Sequence, residues 1–468
     1  MALRVQRFAP RLAPTDPLDP LVGGVVMNER SKGWSVTLAG LALNLALGVL
    51  YAWSMFSKQL TEAIDAGGFG WSRTTATLPY TCAIAFFAVT MIPAGRLQDR
   101  FGPRVVASAG AVLCGVGLMV ASFGAADSMW PVVLGFGILA GTGIGLGYAA
   151  ATPAAVKWFG PEKKGLITGI VVAGFGLAPV YIAPLSRHLL STYGIARSFL
   201  IFGAVFLAVA VLAAQFIVNP QAKVPAAPLP EGKPGSVPVP APSPVTSDRT
   251  WREMMRTPAF WSLYVQYACG ATAGLMVIGH VAKIVAVQSD GAIQAGFLFV
   301  AVLAVFNAAG RVVGGVVSDI IGRVAAMIIV FVLQATTLFF FEQFETFAAF
   351  LLGAALVGFN YGACLSLFPA TTADYWGTRN LGLNYGILFT AWGVGGVFGP
   401  ILAGTIADAT GSYALAYQVA GGLLMFAALL ATVSHIHLSF RLAEKQVVIT
   451  FGKPSPHAQS GRASPISR

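Results

Sequence analysis

Apolar residues in this chain neither alternate with polar ones nor form a single stripe; they run on for twenty residues and more. Twelve such runs, nearly free of charge, cover roughly 34–57, 75–96, 104–124, 130–154, 165–189, 196–218, 258–286, 293–317, 324–342, 345–369, 381–407 and 413–436. Each suits a tilted helix crossing a hydrocarbon core about 30 Å thick, which takes about 20 residues. The period-two alternation of a membrane β-barrel does not occur in the sequence. The pattern predicts an all-α polytopic membrane protein with 12 transmembrane helices.

Composition agrees. The chain is 56% hydrophobic and 10% charged, with 54 glycines. Its mean hydropathy is +0.74. These values lie outside soluble globular norms. The net charge of +11 raises the question of a nucleic-acid partner, and its distribution answers it. With both termini placed in the cytoplasm, Lys58, Arg73, Arg187, Arg197 and Lys283 fall on the far face. Arg311 lies inside a run, and the other 23 of 29 basic residues fall on the cytoplasmic side. That asymmetry is the positive-inside rule, and it predicts cytoplasmic N and C termini in a multi-pass membrane protein, most simply of a bacterial inner membrane. No contiguous basic face exists for nucleic acid, so the partners expected are the lipid bilayer and a small solute.

Cys82, Cys114, Cys269 and Cys364 fall within apolar runs and read as small packing residues, with no disulfide framework or metal-ligand spacing. The first 26 residues lack an apolar signal core and read as a cytoplasmic leader, with Met27 an alternative start. No nucleotide-binding loop, metal cluster or catalytic constellation appears, so neither an enzyme, a cofactor nor an ATP-driven pump is expected.

The runs divide six and six. A leader (1–33) precedes the first six (34–218), a Pro/Ala-rich cytoplasmic linker (219–257) separates them from the second six (258–437), and a tail (438–468) follows. Each half carries a related turn after its second run. The first reads Gly95-Arg96-Leu97-Gln98-Asp99-Arg100-Phe101-Gly102-Pro103-Arg104. The second, Gly315 to Arg323, aligns Asp319 with Asp99 and Gly322 with Gly102 at an offset of 220 residues. The spacing G-x-L-x-D-R-x-G-x-R resembles the signature of the major facilitator superfamily, and the degenerate second copy is similar to that family's second half. The resemblance implies two six-helix bundles that rock around a midplane site. It also implies a conformational latch: Asp99 and Asp319 accepting from helix N-termini, and Arg100, Arg104 and Arg323 pairing with acids, around Gly95, Gly102 and Gly322.

Arg311 is the only ionisable side chain in the run Ile293 to Val317. A charge at such depth costs about 2.5–3.5 kcal/mol on insertion scales, and it usually faces a cavity or a partner. Its counterpart in the first half is Met91, and that of Asn307 is Phe87, so the repeat does not require polarity there. Two readings stand: a guanidinium snorkelling to the interface, or one turned inward to clamp a carboxylate bidentately. Asn307, four residues earlier on the same face, can orient Arg311, bond the substrate or simply bridge two helices. Tyr51, Tyr148, Tyr361 and Trp392 add donors carried on apolar rings that suit such a site, and each alone is also an ordinary packing residue.

A narrower resemblance rests on several further stretches. They are Gly70-Trp71-Ser72-Arg73, Gly141-x-Gly143-x-Gly145-x2-Tyr148, Lys157-Trp158-Phe159 with Lys163-Lys164-Gly165, Gly274 to His280, and Asn384-Tyr385-Gly386. Together they resemble the oxalate/formate antiporter family, which is similar to the monocarboxylate transporters. That resemblance implies that Arg311 is the principal carboxylate ligand. It also implies a second cation, a lysine, where this chain has Trp392. One cation favours a monocarboxylate such as lactate or formate over oxalate.

Coupling stays open at this level. No Asp or Glu lies well inside a run, and the Asp-x3-Arg pattern that the resemblance to monocarboxylate carriers implies is Asn307-x3-Arg311 here. Proton symport would need His280 or the substrate's own carboxyl as carrier; anion exchange needs no titrating group. The expectation is a monomeric secondary transporter of small carboxylate anions. The alternative is a carrier of the same fold for an uncharged or drug-like solute, with Arg311 structural.

Overall fold

The computed structural model describes residues 29–220, 248–293 and 296–451. The leader, the Met27 start, most of the linker and the end of the tail lie outside the described residues. The helices are α1 (Glu29–Leu47), α2 (Trp53–Thr61), α3 (Arg73–Phe101), α4 (Pro103–Ala121), α5 (Trp130–Val132), α6 (Gly141–Val156) and α7 (Lys164–Gln215) in the first half. In the second half they are α8 (Trp251–Met255), α9 (Pro258–Gln288), α10 (Gly296–Ile321), α11 (Arg323–Phe341), α12 (Phe347–Trp376), α13 (Leu381–Thr410) and α14 (Ala414–Phe451). A 3-10 turn, Gly48–Ala52, joins α1 to α2, and a π-helical stretch, Val133–Ala140, joins α5 to α6.

Among the described residues eleven helical stretches are long and apolar enough to span a membrane, because two of the twelve predicted spans lie within α7. Fifty-two residues at about 1.5 Å each would run far beyond a bilayer. Gly194, at φ 73° and ψ −178°, breaks the helix between the two predicted runs, a conformation that only glycine takes without strain. The described residues are therefore all-helical and the protein polytopic. The last helix continues to Phe451, past the predicted start of the tail at 438.

Helix boundaries follow local chemistry. Ser72, Thr257 and Thr346 each accept a hydrogen bond from the backbone N–H three residues on, capping α3, α9 and α12. Thr250 and Glu253 form a capping box at α8. Helices α7 and α13 lack any side-chain cap of their own. Their orphan N–H groups are satisfied from the opposite half of the chain, and this shapes the site.

Candidate functional site

Arg311 of α10 is 1% exposed, with its guanidinium turned inward. Nε donates to Asn307 Oδ1 at 2.9 Å, one turn earlier on the same helix face. Nη1 donates to the backbone carbonyl of Val172 on α7, so the arginine bridges the two halves. Nη2 has no hydrogen-bond partner among the described residues. No acid forms an ion pair with it within 4.0 Å among those residues. The side chain does not snorkel, and the cation is left without a counter-charge. Burying an ion is expensive unless it is paired and hydrogen-bonded, and here only neutral acceptors share the cost.

The guanidinium faces a small cavity lined by Phe87, Tyr148, Phe175, Leu365, Phe389 and Trp392. The rings form a continuous wall. Phe87 lies 5.5 Å from Tyr148 and 5.4 Å from Trp392 between centroids, Tyr148 lies 5.3 Å from Phe389, and Phe389 stacks on Trp392 at 4.9 Å. The space left between them holds little more than a water molecule. Phe87, the counterpart of Asn307 in the repeat, lines the same cavity: the second half supplies the cation, and both halves supply the apolar wall.

The structure thus gathers Arg311, Asn307, Tyr148, Trp392 and, behind the wall, Tyr361, whose hydroxyl accepts from Trp392 Nε1 at 2.7 Å. Trp392 lines the cavity where the second cation was sought, and among the described residues Arg311 is the only cationic one lining it. His280 does not line it. Its Nδ1 lies 3.2 Å from the carbonyl of Met276 and its ring 5.8 Å from that of Tyr413. Tyr51 lies in the 3-10 turn after α1, and its side chain falls outside the described residues. Phe87, Phe175, Leu365 and Phe389 were not singled out as site residues, since large apolar side chains in an apolar run carry no signal of their own. Phe389 and Trp392 do share one helical stripe, which was legible.

Between the cavity and the end marked by Asp99, two seams join the halves. Asp99 of α3 accepts from the N–H groups of Gly382 and Leu383 at 3.3 and 3.0 Å, capping α13. Asp319 of α10 accepts from Gly165 and Leu166 at 2.9 and 2.8 Å, capping α7. A carboxylate at a helix N-terminus satisfies orphan donors and complements the dipole. Gly95 and Gly315 belong to the same seams: a Cβ on either would overlap the carbonyl oxygen of Gly382 or Gly165 respectively. Gly102 and Gly322, at φ 86° and 90°, supply the left-handed turns that begin α4 and α11.

The arginines of the repeat differ. Arg323 is buried, bonding Asp319 and Asp374 at 2.7 Å each and Ser318 Oγ at 2.5 Å, while Lys164 reaches Asp374 at 2.9 Å. Arg100 instead packs its guanidinium 5.1 Å from the ring of Phe101, and Arg104 is exposed. Neither pairs with an acid within 4.0 Å among the described residues, contrary to the expectation from the motif. The basic partner of Asp99 is Lys157, at 3.8 Å.

A two-fold-repeated helical carrier with helix-capping seams and a buried cationic cavity defines a membrane transporter. The chain belongs to the Major Facilitator Superfamily, which it matches over residues 33–304 and 288–446. It is 29% identical over 374 residues to the uncharacterized MFS-type transporter YhjX of Escherichia coli strain K12, covering 79% of this chain and 87% of that protein. It is also 29% identical over 385 residues to the oxalate:formate antiporter of Oxalobacter formigenes, covering 81% and 85%. Monocarboxylate transporter 13 of Bos taurus is 25% identical over 396 residues, covering 84% and 87%. These relatives bear out the resemblance drawn from the motifs. Among solved structures, FucP in the outward conformation superposes with a TM-score of 0.61 at 15% identity, covering 85% of this chain and 99% of that one, and this shows the shared fold.

Proposed function

We propose that the protein is a secondary transporter of small monocarboxylate anions such as lactate or formate, working by alternating access in a bacterial inner membrane with both termini cytoplasmic. The observation that carries the reading is the Arg311 guanidinium: fully buried and, among the described residues, without an acidic partner and with Nη2 unengaged at the edge of an aromatic cavity. A carboxylate supplies the missing counter-charge, and charge-assisted bonds to it are roughly twice as strong as neutral ones. A dicarboxylate would bring a second charge to a wall of phenyl and indole rings.

Exchange of one anion for another is the coupling this arrangement supports best. With His280 apart from the cavity and no acid paired with Arg311, proton symport would depend on the substrate's own carboxyl. The empty cationic cavity resists closing on itself, which favours reorientation only when it is loaded. The monomer suffices for all of this.

Counterflow in proteoliposomes tests the proposal. Saturable lactate or formate counterflow that disappears in Arg311→Gln and Arg311→Lys supports it. Uptake left intact by both substitutions favours the alternative, a carrier of an uncharged or drug-like solute. In that case the bonds from Arg311 to Asn307 and Val172 are purely structural.

A further inference from the structure

The stretch Lys157-Trp158-Phe159 has little part in the account above, and the return of the linker onto the second half has none. Helix α6 ends at Val156 and its repeat counterpart α12 at Trp376, an offset of 220 residues, so the turns that follow them correspond. At the first turn the chain leaves the first half: Trp158 Nε1 donates to the carbonyl of Val218 at 2.7 Å. At the second it arrives. The N–H of Arg249 donates to the carbonyl of Trp376 at 3.0 Å, and Asp248 accepts from the N–H of Arg379 at 3.1 Å.

The landing place is shaped for this stretch. Asn380 and Asn384 each donate a side-chain N–H to the carbonyl of Arg249, at 3.2 and 3.1 Å. Gly377, at φ 80°, leaves the room that a Cβ would take from the Asp248 carboxylate. Asn384 is fully buried, two residues after Gly382, whose N–H Asp99 caps. The linker therefore lands beside the α3–α13 seam.

Lys157 stands where the two halves meet. It lies 3.8 Å from Asp99 of its own half, and Asp248, fixed to the other half, is within its electrostatic reach. When α3 and α13 separate, Lys157 and Asp99 move with the first half and Asp248 with the second. The attraction between Lys157 and Asp248 therefore counts only while this end is closed. We propose that the end of the linker is a working part of that closure: docked on the α12–α13 turn, Asp248 gives Lys157 a carboxylate on the opposite half and biases the α3–α13 edge towards its closed state, whatever solute is carried.

Asp248→Asn tests the proposal, because an amide oxygen can still accept from Arg379 and only the charge is lost. Maleimide labelling of Gln98→Cys, read by mass spectrometry of the labelled peptide from the full chain, reports opening of the edge. Asp248→Asn should speed labelling about 1.5- to five-fold, the range for partly exposed charges, and the gain should shrink in about 1 M salt. In a Lys157→Gln background Asp248→Asn should change nothing, while Gly95→Val still speeds labelling and so shows that the rate has room to rise. Unchanged labelling on Asp248→Asn with Lys157 present overturns the inference. So does an equal gain in both backgrounds, which would leave Asp248 an anchor for the linker and no more. Neither outcome depends on Arg311 or on a carboxylate substrate, so the proposed function stands or falls separately.

Discussion

Asp99 accepts the backbone N–H of Leu383 at 3.0 Å, so a carboxylate on α3 caps a helix that begins far along the other half of the chain. Asp319 repeats the relationship with Leu166 at 2.8 Å. Each helix end depends on the opposite half for a cap, and closing that end of the molecule and completing the helices are one event.

Removing a capping side chain costs about 0.5–2 kcal/mol. Asp99→Ala is expected to fall in that range, read as thermal stability in detergent. Asp319→Ala should cost more, about 3 kcal/mol or above, because it leaves the buried Arg323 without one of its two carboxylates. Equal losses for the two would show that the Arg323 network adds nothing.

Gly95→Val places a side chain against the carbonyl of Gly382. Overpacking of this kind costs about 1–3 kcal/mol, which lowers the ratio of closed to open molecules by a factor of roughly 5 to 150. A cysteine at the buried position Gln98 should then react with maleimide correspondingly faster. Unchanged labelling would mean that α3 and α13 separate as readily with the glycine present.

Trp392→Lys restores a second cation to the cavity wall. A charge-assisted hydrogen bond contributes about 1.5–3 kcal/mol, so oxalate binding should rise roughly ten-fold or more while lactate binding falls. Oxalate counterflow in the liposome assay measures it, and a variant still blind to oxalate would remove Trp392 from the account of selectivity.

The capping box at α8 predicts a pH dependence. The backbone N–H and hydroxyl of Thr250 hold the Glu253 carboxyl below its ordinary range, with Arg249 and Arg256 adding to the effect. A depressed folded-state pKa stabilises above the unfolded value, about 4.3, and that stabilisation is lost as pH falls through the folded one. Amide exchange at Thr250, corrected for its intrinsic rate, should accelerate below about pH 4. Glu253→Ala should abolish the change.

Much of this was legible beforehand. Twelve apolar runs, the interruption between the fifth and sixth at 190–195, and the paired motifs with Asp99 and Asp319 all follow from local composition and an internal repeat. Arg311 announced itself by being costly where it stands. The aromatic wall did not. Phe87 and Phe175 are indistinguishable in sequence from any residue facing lipid, and only the helix arrangement separates one use of a phenylalanine from the other. Arg100 and Arg104 failed for the opposite reason: their motif suggests ion pairs, yet Lys157 is the base that reaches Asp99.

The two seams differ in strength. Where α7 meets α10, Arg323, Lys164, Asp319 and Asp374 form one charged cluster, and Arg311 adds its bond to Val172 further along. Where α3 meets α13, a single lysine stands at 3.8 Å from Asp99. A body clasped firmly along one side and loosely along the other is expected to swing rather than part evenly, with α7–α10 as the hinge line and α3–α13 as the free edge. Arg311 bonds across α7–α10, so under the proposed function a carboxylate that drew its guanidinium away from Val172 would pull on the hinge itself.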